Sequence, residues 1–132
     1  MRYNTIDLTD ARLHYAVACM LGAEFKPNTI GAQHAYVGGK YIGGFVTKTT
    51  TGVSMPHDVF APSKLVAYGG AVGERILGEH VHSLLRTAEG WCAVTTGATK
   101  AIAHGETMRV AGLRAAVLGE LGETIDIPDW LE

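Results

Sequence analysis

The sequence has only two cysteines, no long apolar run and no segment typical of secretion. Cys19 and Cys92 are far apart in a chain of 132 residues and fit no metal-binding spacing. We therefore expect two ordinary thiols in a reducing compartment. No apolar stretch approaches the ~20 residues of a membrane-spanning helix, and the first residues lack the charged and then apolar segments of a signal peptide. These absences predict a cytoplasmic protein that has no membrane partner.

Basic residues are too few and too scattered to favour nucleic acid as a partner. The chain has 11 Lys and Arg against 13 Asp and Glu, and its formal net charge is −2. Nonspecific binding to nucleic acid needs clustered Lys and Arg, because it depends on neutralising several phosphates. The sequence also lacks His-x-x-x-His and Cys-x-x-Cys pairs, so we predict no metal ion and no cofactor. The candidate catalytic groups stand apart from one another, so we expect no catalytic residues and no turnover.

Glycine is the residue that the chain has in excess. There are 17 glycines, with pairs at 38–39, 43–44 and 69–70. Glycine tolerates backbone conformations that other residues avoid, so the middle of the chain is predicted to form short strands and tight turns. Apolar residues make up 47% of the chain and charged residues 18%, as in globular proteins. The length fits one domain over residues 1–132.

Hydrophobic periodicity predicts a helix near each end of the chain. Apolar residues spaced as on one helix face occur over residues 9–21 and 107–121. Residues 36–46 are predicted to form a hairpin and residues 91–95 a strand. Residues 77–86 fit a strand or a continuing helix, and we favour the strand. The predicted fold class is α+β, with a small, largely antiparallel sheet and the N- and C-terminal helices packed on one face.

The segment from residue 62 to residue 75 is the best candidate for a ligand site. A glycine pair before a predicted helix can aim free backbone N–H groups, and the positive end of the helix dipole, at an anion. A nearby arginine and two hydroxyls would support the same anion. The alternative is that the two glycines only form a tight turn into the helix. The ligand-binding residues predicted in this segment are Ser63, Tyr68, Gly69, Gly70 and Arg75.

Arg114 is a further predicted ligand-binding residue, on the last helix. It lies at the edge of the apolar stripe, where a guanidinium must be paired or must bind an anion. The alternative is an ion pair with Glu74, Glu106 or a partner subunit.

The apolar residues also predict a homodimer or a larger homo-oligomer. One small sheet cannot easily cover them all, and large exposed apolar patches usually mark interfaces. The two tryptophans are expected in the core or at such an interface rather than at a ligand site. The residues that carry this prediction are Met20, Trp91, Trp130 and the stretch 115–118.

Three stretches of the chain, taken in order, match a known pattern. They are Leu8-Thr9, Leu13 and Tyr15-Ala16-Val17-Ala18; then Pro62-Ser63, Ala67, Gly69-Gly70 and Glu74-Arg75; then Gly90-Trp91-Cys92-Ala93, Gly105, Thr107, Ala111, Arg114, Val117, Leu121-Gly122 and Ile127-Pro128. Together they resemble the NinX-like family of small proteins from lambdoid and related phages. The chain departs from that family at Leu65 and Val66, where the family tends to carry an acidic residue and a tryptophan, and at residues 54–60, which have no clear counterpart.

The resemblance implies a phage accessory protein in the cytoplasm of an infected bacterium, and it implies no chemistry because the family has no assigned activity. The glycine-rich helix start, the nearby arginine and aromatic groups, and the absence of a catalytic constellation lead us to expect a non-enzymatic protein that binds a small phosphorylated or nucleotide-like ligand. Such a ligand, for example a host defence signal, would be sequestered as an anti-defence measure. Two alternatives remain open. The chain is an interaction protein that binds and modulates a host protein, or it is an enzyme that acts on nucleotides.

Overall fold

The computed structural model describes residues 1–27, 32–45, 59–64, 69–96 and 100–131. The helices in these ranges are α1 (Asp10–Met20), α2 (Gly70–His80) and α3 (Met108–Leu121), with a short 3₁₀ helix at Thr5–Asp7. The strands are β1 (Arg2–Asn4), β2 (Glu24–Pro27), β3 (Gln33–Val37), β4 (Lys40–Phe45), β5 (Val81–Thr87), β6 (Gly90–Thr95), β7 (Ile102–Gly105) and β8 (Thr124–Asp126).

The strands form three small antiparallel sheets, so the fold is α+β as predicted. One sheet pairs β1 with β8, a second has the order β2-β3-β4, and a third has the order β5-β6-β7. Helix α3 packs on β6 and β7 of the third sheet, and α1 and α2 pack against α3. The antiparallel strands are thus divided among three sheets instead of one, and α3 lies at the centre of the helical contacts.

The last helix follows the predicted boundaries to within one residue. Thr107 is its N-cap, and the Thr107 side chain accepts a hydrogen bond of 3.1 Å from the backbone N–H of Val110. That bond satisfies one of the free N–H groups at a helix start. Ala111 and Ala115 of α3 pack against Ala93 and Ala103 of the sheet, and such small side chains allow a close approach. Within the described ranges, no helix is long and apolar enough to cross a membrane.

Residues 77–86, which the sequence left open as a strand or a continuing helix, contain the end of a helix and most of a strand. Helix α2 continues to His80, and β5 begins at Val81. A strand through the whole stretch would place His80 and His82 on one strand face. The structure does not do so, because His80 ends the helix and its Nδ1 lies 3.7 Å from Oε1 of Glu120 on α3. A period that fits both a helix and a strand cannot locate the junction between them.

The main core lies where α1, α2 and α3 meet the 59–64 segment. Its largest fully buried side chains include Phe60, Leu8, Leu13, Ile76, Leu113 and Ile127. An aromatic cluster borders this core and joins α1 to the second sheet. Tyr15 of α1 stacks on Phe25 at a ring distance of 5.0 Å, and Phe45 and Trp130 lie against both rings. Offset and edge-on ring pairs of this kind add to the stability that burial gives.

Most of the residues on which the homo-oligomer prediction rests are covered within the chain itself. Ala115–Val117 are buried, and both Trp130 and Met20 pack against the core. Exposed apolar side chains lie elsewhere, and two of them are on one sheet: Leu85 is 57% exposed and Ile102 is 55% exposed. Side chains alternate along a strand, so both lie on the face of the β5–β6–β7 sheet that is opposite α3. The homo-oligomer stays a prediction, and this sheet face, rather than the residues selected from the sequence, is the surface available for it.

Candidate ligand-binding site

The glycine pair at the start of α2 is closely packed rather than open. Gly69 has φ +92°, and a Cβ atom there would lie 2.7 Å from the ring of Phe60. Gly70 is buried, and its carbonyl oxygen accepts a 2.7 Å hydrogen bond from Nη1 of Arg109. The same Nη1 donates to the carbonyl oxygen of Pro62 at 3.1 Å. The pair therefore forms the tight turn of the alternative interpretation, and Arg109 ties this turn to α3.

Gly69 and Arg75 line a small cleft of about 310 Å³ between α2 and β4. Lys40 and Tyr41 of β4 lie on its other side. Nε of Arg75 lies 3.8 Å from Oε1 of Glu79, and both side chains are more than half exposed, so this ion pair is weak. Tyr68 lies outside the described residues. Of the predicted 63–75 site, the structure thus places Gly69 and Arg75 together and Ser63 elsewhere.

A larger cleft, of about 810 Å³, lies where the N-termini of α1 and α3 meet the turn between β5 and β6. We call it the α1–α3 cleft. It is lined by residues that begin the two helices (Thr9, Asp10, Glu106, Thr107), by Val110 and Arg114 of α3, by Ser63 and Lys64, and by residues of the third sheet and its turn (Thr87, Glu89, Trp91, His104, Gly105). Ser63 and Arg114, both predicted from the sequence, therefore line the same cavity.

Two helix N-termini lie at this cleft, and one of them has no side-chain cap. Thr9 is the N-cap of α1, but its side chain makes no hydrogen bond to the helix. The Arg12 N–H bonds to the Thr9 carbonyl at 3.2 Å, but no described side chain caps the N–H groups before it, and the helix dipole adds partial positive charge beside them. Asp10, at the same end, is the one non-glycine residue of the described chain with positive φ, at 48°. Such backbone strain is common at functional sites.

Arg114 is held in place by main-chain oxygens instead of by a carboxylate. Its Nε donates to the carbonyl of Leu8 and its Nη1 to the carbonyl of His104, each at 2.8 Å. The predicted ion pair with Glu74 or Glu106 is not formed, and Glu74 instead lies 3.9 Å from Nη2 of Arg109. Burial lowers the pKa of Arg114 from its ordinary value, against the opposing effect of nearby carboxylates.

The third nitrogen of the Arg114 guanidinium, Nη2, makes no hydrogen bond to the described part of the chain. Two neutral carbonyls fix the group without neutralising it. The result is an oriented positive charge at the wall of the cleft, with N–H donors left for an anionic ligand.

Ser63 is held by a buried histidine of α1. Nε2 of His14 lies 2.6 Å from Oγ of Ser63, and His14 is only 5% exposed. Burial lowers the pKa of His14 to about 4, with Asp10 and Lys64 acting in opposite directions as smaller causes. The imidazole is therefore uncharged at neutral pH, and the Ser63 hydroxyl is fixed at the edge of the cleft.

The sequence did not single out His14, because it stands beside an apolar helix stripe and its partner is 49 residues away. Trp91 was expected in the core or at an interface, and it lines the cleft. Neither residue belongs to a local motif. The one available signal for His14 was a polar residue directly beside the apolar stripe of α1.

The charges of the cleft are mixed. Three carboxylates line it, from Asp10, Glu89 and Glu106, against two cations, Lys64 and Arg114, which leaves a formal charge of −1. Four hydroxyls add donors and acceptors: Thr9, Ser63, Thr87 and Thr107. This lining suits a ligand with one anionic group and several hydrogen-bond donors. It suits a polyanion less well, because three carboxylates line the same cleft and would repel additional negative charge.

Among the described residues, no group of three or more His, Cys, Asp and Glu side chains is arranged to hold a metal ion. No protein-family model matches the chain, and no curated protein matches it either. The resemblance to the NinX-like family accordingly remains a prediction from the motifs.

Proposed function

We propose that this chain is a non-enzymatic binding protein for a small phosphorylated or nucleotide-like ligand, which it holds in the α1–α3 cleft. The observation that carries the proposal is the guanidinium of Arg114, which two carbonyls fix and which forms no ion pair with a carboxylate among the described residues. A hydrogen bond to a charged group contributes about 1.5–3 kcal/mol. Because the side chain is already fixed, little rotamer entropy is lost when an anion binds.

The rest of the cleft supports this use. Its volume of about 810 Å³ lies within the roughly 300–1,000 Å³ that is usual for small-molecule sites. The start of α1, which the Thr9 side chain does not cap, offers backbone N–H donors beside it, and the fixed hydroxyl of Ser63 adds a hydrogen-bonding group. Binding needs only such convergent groups, and no hydrolysis or group transfer is required of them.

The biological role follows from this binding and from the resemblance to phage accessory proteins. A protein that holds a small phosphorylated signal lowers the free concentration of that signal. In the cytoplasm of an infected bacterium, sequestering a host defence signal in this way would protect the phage. The role depends on affinity and abundance, and it needs no catalytic turnover.

The test compares the two clefts through matched arginine variants. A panel of phosphate esters and nucleotides is screened by thermal shift, and each ligand found is titrated by calorimetry. Arg114→Gln should weaken binding about 10- to 100-fold, in keeping with a lost charge-assisted hydrogen bond. Arg75→Gln, in the small cleft, is the control and should bind as the wild type does. Melting curves of both variants report whether the fold is kept.

Two results would contradict the proposal. If Arg75→Gln weakens binding and Arg114→Gln does not, the ligand occupies the small cleft. If mass analysis shows many product molecules formed per protein molecule, the chain is an enzyme. Recovery of intact ligand after heat denaturation of the complex is the expected result.

A further inference from the structure

The two tryptophans of the chain have different surroundings. Trp130 lies in the aromatic cluster, with ring centres 5.7 Å from Tyr15 and Phe25 and 6.2 Å from Phe45. Trp91 lines the α1–α3 cleft and is only partly buried. Its ring is therefore the large aromatic surface that the cleft offers to a ligand.

Neighbouring residues hold the Trp91 side chain in place. Trp91 is the second residue of β6 and lies opposite Arg86 on β5 and Gly105 on β7. The guanidinium carbon of Arg86 lies 5.5 Å from the centre of the indole ring, within the range of a cation–π contact. The side chain also packs against the buried alanines between the sheet and α3. An indole held in this way loses little freedom when a second ring packs against it.

We propose that Trp91 is the surface on which a planar ring of the ligand packs while Arg114 binds the ligand's single anionic group, so that the cleft takes a nucleoside monophosphate. This inference rests on the proposed function and adds the class of ligand to it. Stacking on an aromatic side chain is the usual way in which proteins hold an unpaired base, and every base has a ring face for it.

The lining of the cleft favours one phosphate over three. Asp10, Glu89 and Glu106 line the cleft together with the two cations, so the two further phosphates of a triphosphate would add negative charge to a cleft that already has more carboxylates than cations. These same carboxylates can accept hydrogen bonds from ribose hydroxyls and from amino groups of a base. A sugar phosphate without a base would use Arg114 but would have no ring to pack on Trp91.

The test uses the four common ribonucleoside 5′-monophosphates, with ribose 5-phosphate, inorganic phosphate and adenosine triphosphate for comparison. At least one monophosphate should bind about tenfold or more tightly than ribose 5-phosphate, because only the monophosphate carries a ring that stacks. In the Trp91→Ala variant the ratio of the monophosphate affinity to the ribose 5-phosphate affinity should fall to about one, while the affinity for ribose 5-phosphate stays the same. Adenosine triphosphate should bind more weakly than the corresponding monophosphate.

Fluorescence supplies a matched control, because each tryptophan can be removed in turn. The Trp130→Phe protein, which keeps Trp91, should show a change in emission when the monophosphate binds. The Trp91→Phe protein should show none. An emission change confined to Trp130 would overturn the assignment of Trp91.

Different binding results would overturn the role of Trp91 and the proposed function. Equal affinities for ribose 5-phosphate and for every monophosphate, both sensitive to Arg114→Gln, would overturn the stacking role and leave the anion site standing. The stacking role would also be overturned if the Trp91→Ala variant still bound the monophosphate about tenfold more tightly than ribose 5-phosphate. Absence of binding by every probe would overturn this ligand class together with the role of Trp91.

Discussion

Replacing His14 by glutamine should make the stability of the protein less sensitive to acid. The His14 imidazole is buried and uncharged, with its Nε2 hydrogen-bonded to Ser63, and burial lowers the pKa of His14 from 6.5 to about 4. Between these two pH values the unfolded chain binds a proton at this position and the folded chain does not. Acid therefore favours unfolding over this range, and the effect is absent above pH 6.5.

The size of the effect follows from the two pKa values. One pKa unit corresponds to about 1.4 kcal/mol, so the full shift is worth roughly 3 kcal/mol once the pH is below 4. Between pH 7 and pH 5 the expected loss in the free energy of unfolding is about 2 kcal/mol. This narrower range avoids the carboxylates, which titrate at lower pH. His14→Gln keeps a polar group near Ser63 but has no charge to gain.

The assay is urea unfolding of both proteins at pH 7 and at pH 5. The wild type should lose about 2 kcal/mol more than His14→Gln between the two conditions. The other histidines are present in both proteins, so the difference isolates His14. Equal losses in the two proteins would refute the reasoning, because they would mean that His14 is protonated as easily in the folded state as in the unfolded one.

Two further predictions concern packing and assembly. Gly73→Ala should lower the free energy of unfolding by roughly 1–3 kcal/mol in denaturant, because a Cβ there would overlap the carbonyl oxygen of Pro62. Gly78→Ala, on the same helix, is the control. A Cβ at Gly78 would have nothing within 4 Å, so this variant should raise the free energy of unfolding by about 0.4–1 kcal/mol. The wild type should show a mass above that of the monomer in light scattering at about 100 µM, and the double variant Leu85→Glu/Ile102→Glu should be monomeric, because charge on an apolar sheet face opposes its burial. A wild-type monomer at that concentration, or a variant that still assembles, would contradict the second prediction.

The local sequence was sufficient to predict the helices near the two ends of the chain, α1 and α3. Helix α3 is marked by its cap at Thr107 and by a regular apolar face, and α1 by a similar face, so both boundaries were predicted closely. Strands β1, β2 and β7 were not predicted. Each has three or four residues, which is too few for an alternating pattern to stand out. Strand β1 pairs with the distant β8, and β2 and β7 pair with the neighbouring β3 and β6; no pattern within such short segments reports these pairings.

The site was predicted only in part, because it depends on contacts between residues that are far apart in the sequence. Ser63 and Arg114 were both selected, as a hydroxyl near a glycine pair and as a charge at the edge of an apolar stripe, and the structure brings both to one cleft. The sequence could not tell that Arg75 lies in another cleft, since this depends on where α2 packs. His14–Ser63 and Leu8–Arg114 are contacts over 49 and 106 residues. Contacts of this kind form only when the whole fold has formed.

The pairing of β1 with β8 has a consequence for the order in which the protein can be completed during synthesis. Arg2 of β1 and Asp126 of β8 are 124 residues apart, and the neighbouring Thr5 also bonds to Gly122 and Glu123. At about 5–20 residues per second, a ribosome makes β8 roughly 6–25 s after β1. During that interval the residues of α1 and of the second sheet have been synthesised, but β1 has no strand to pair with. The first sheet is therefore completed last, and a ribosome that pauses within α3 would hold β1 as an open edge, the form of strand most prone to pair with another chain.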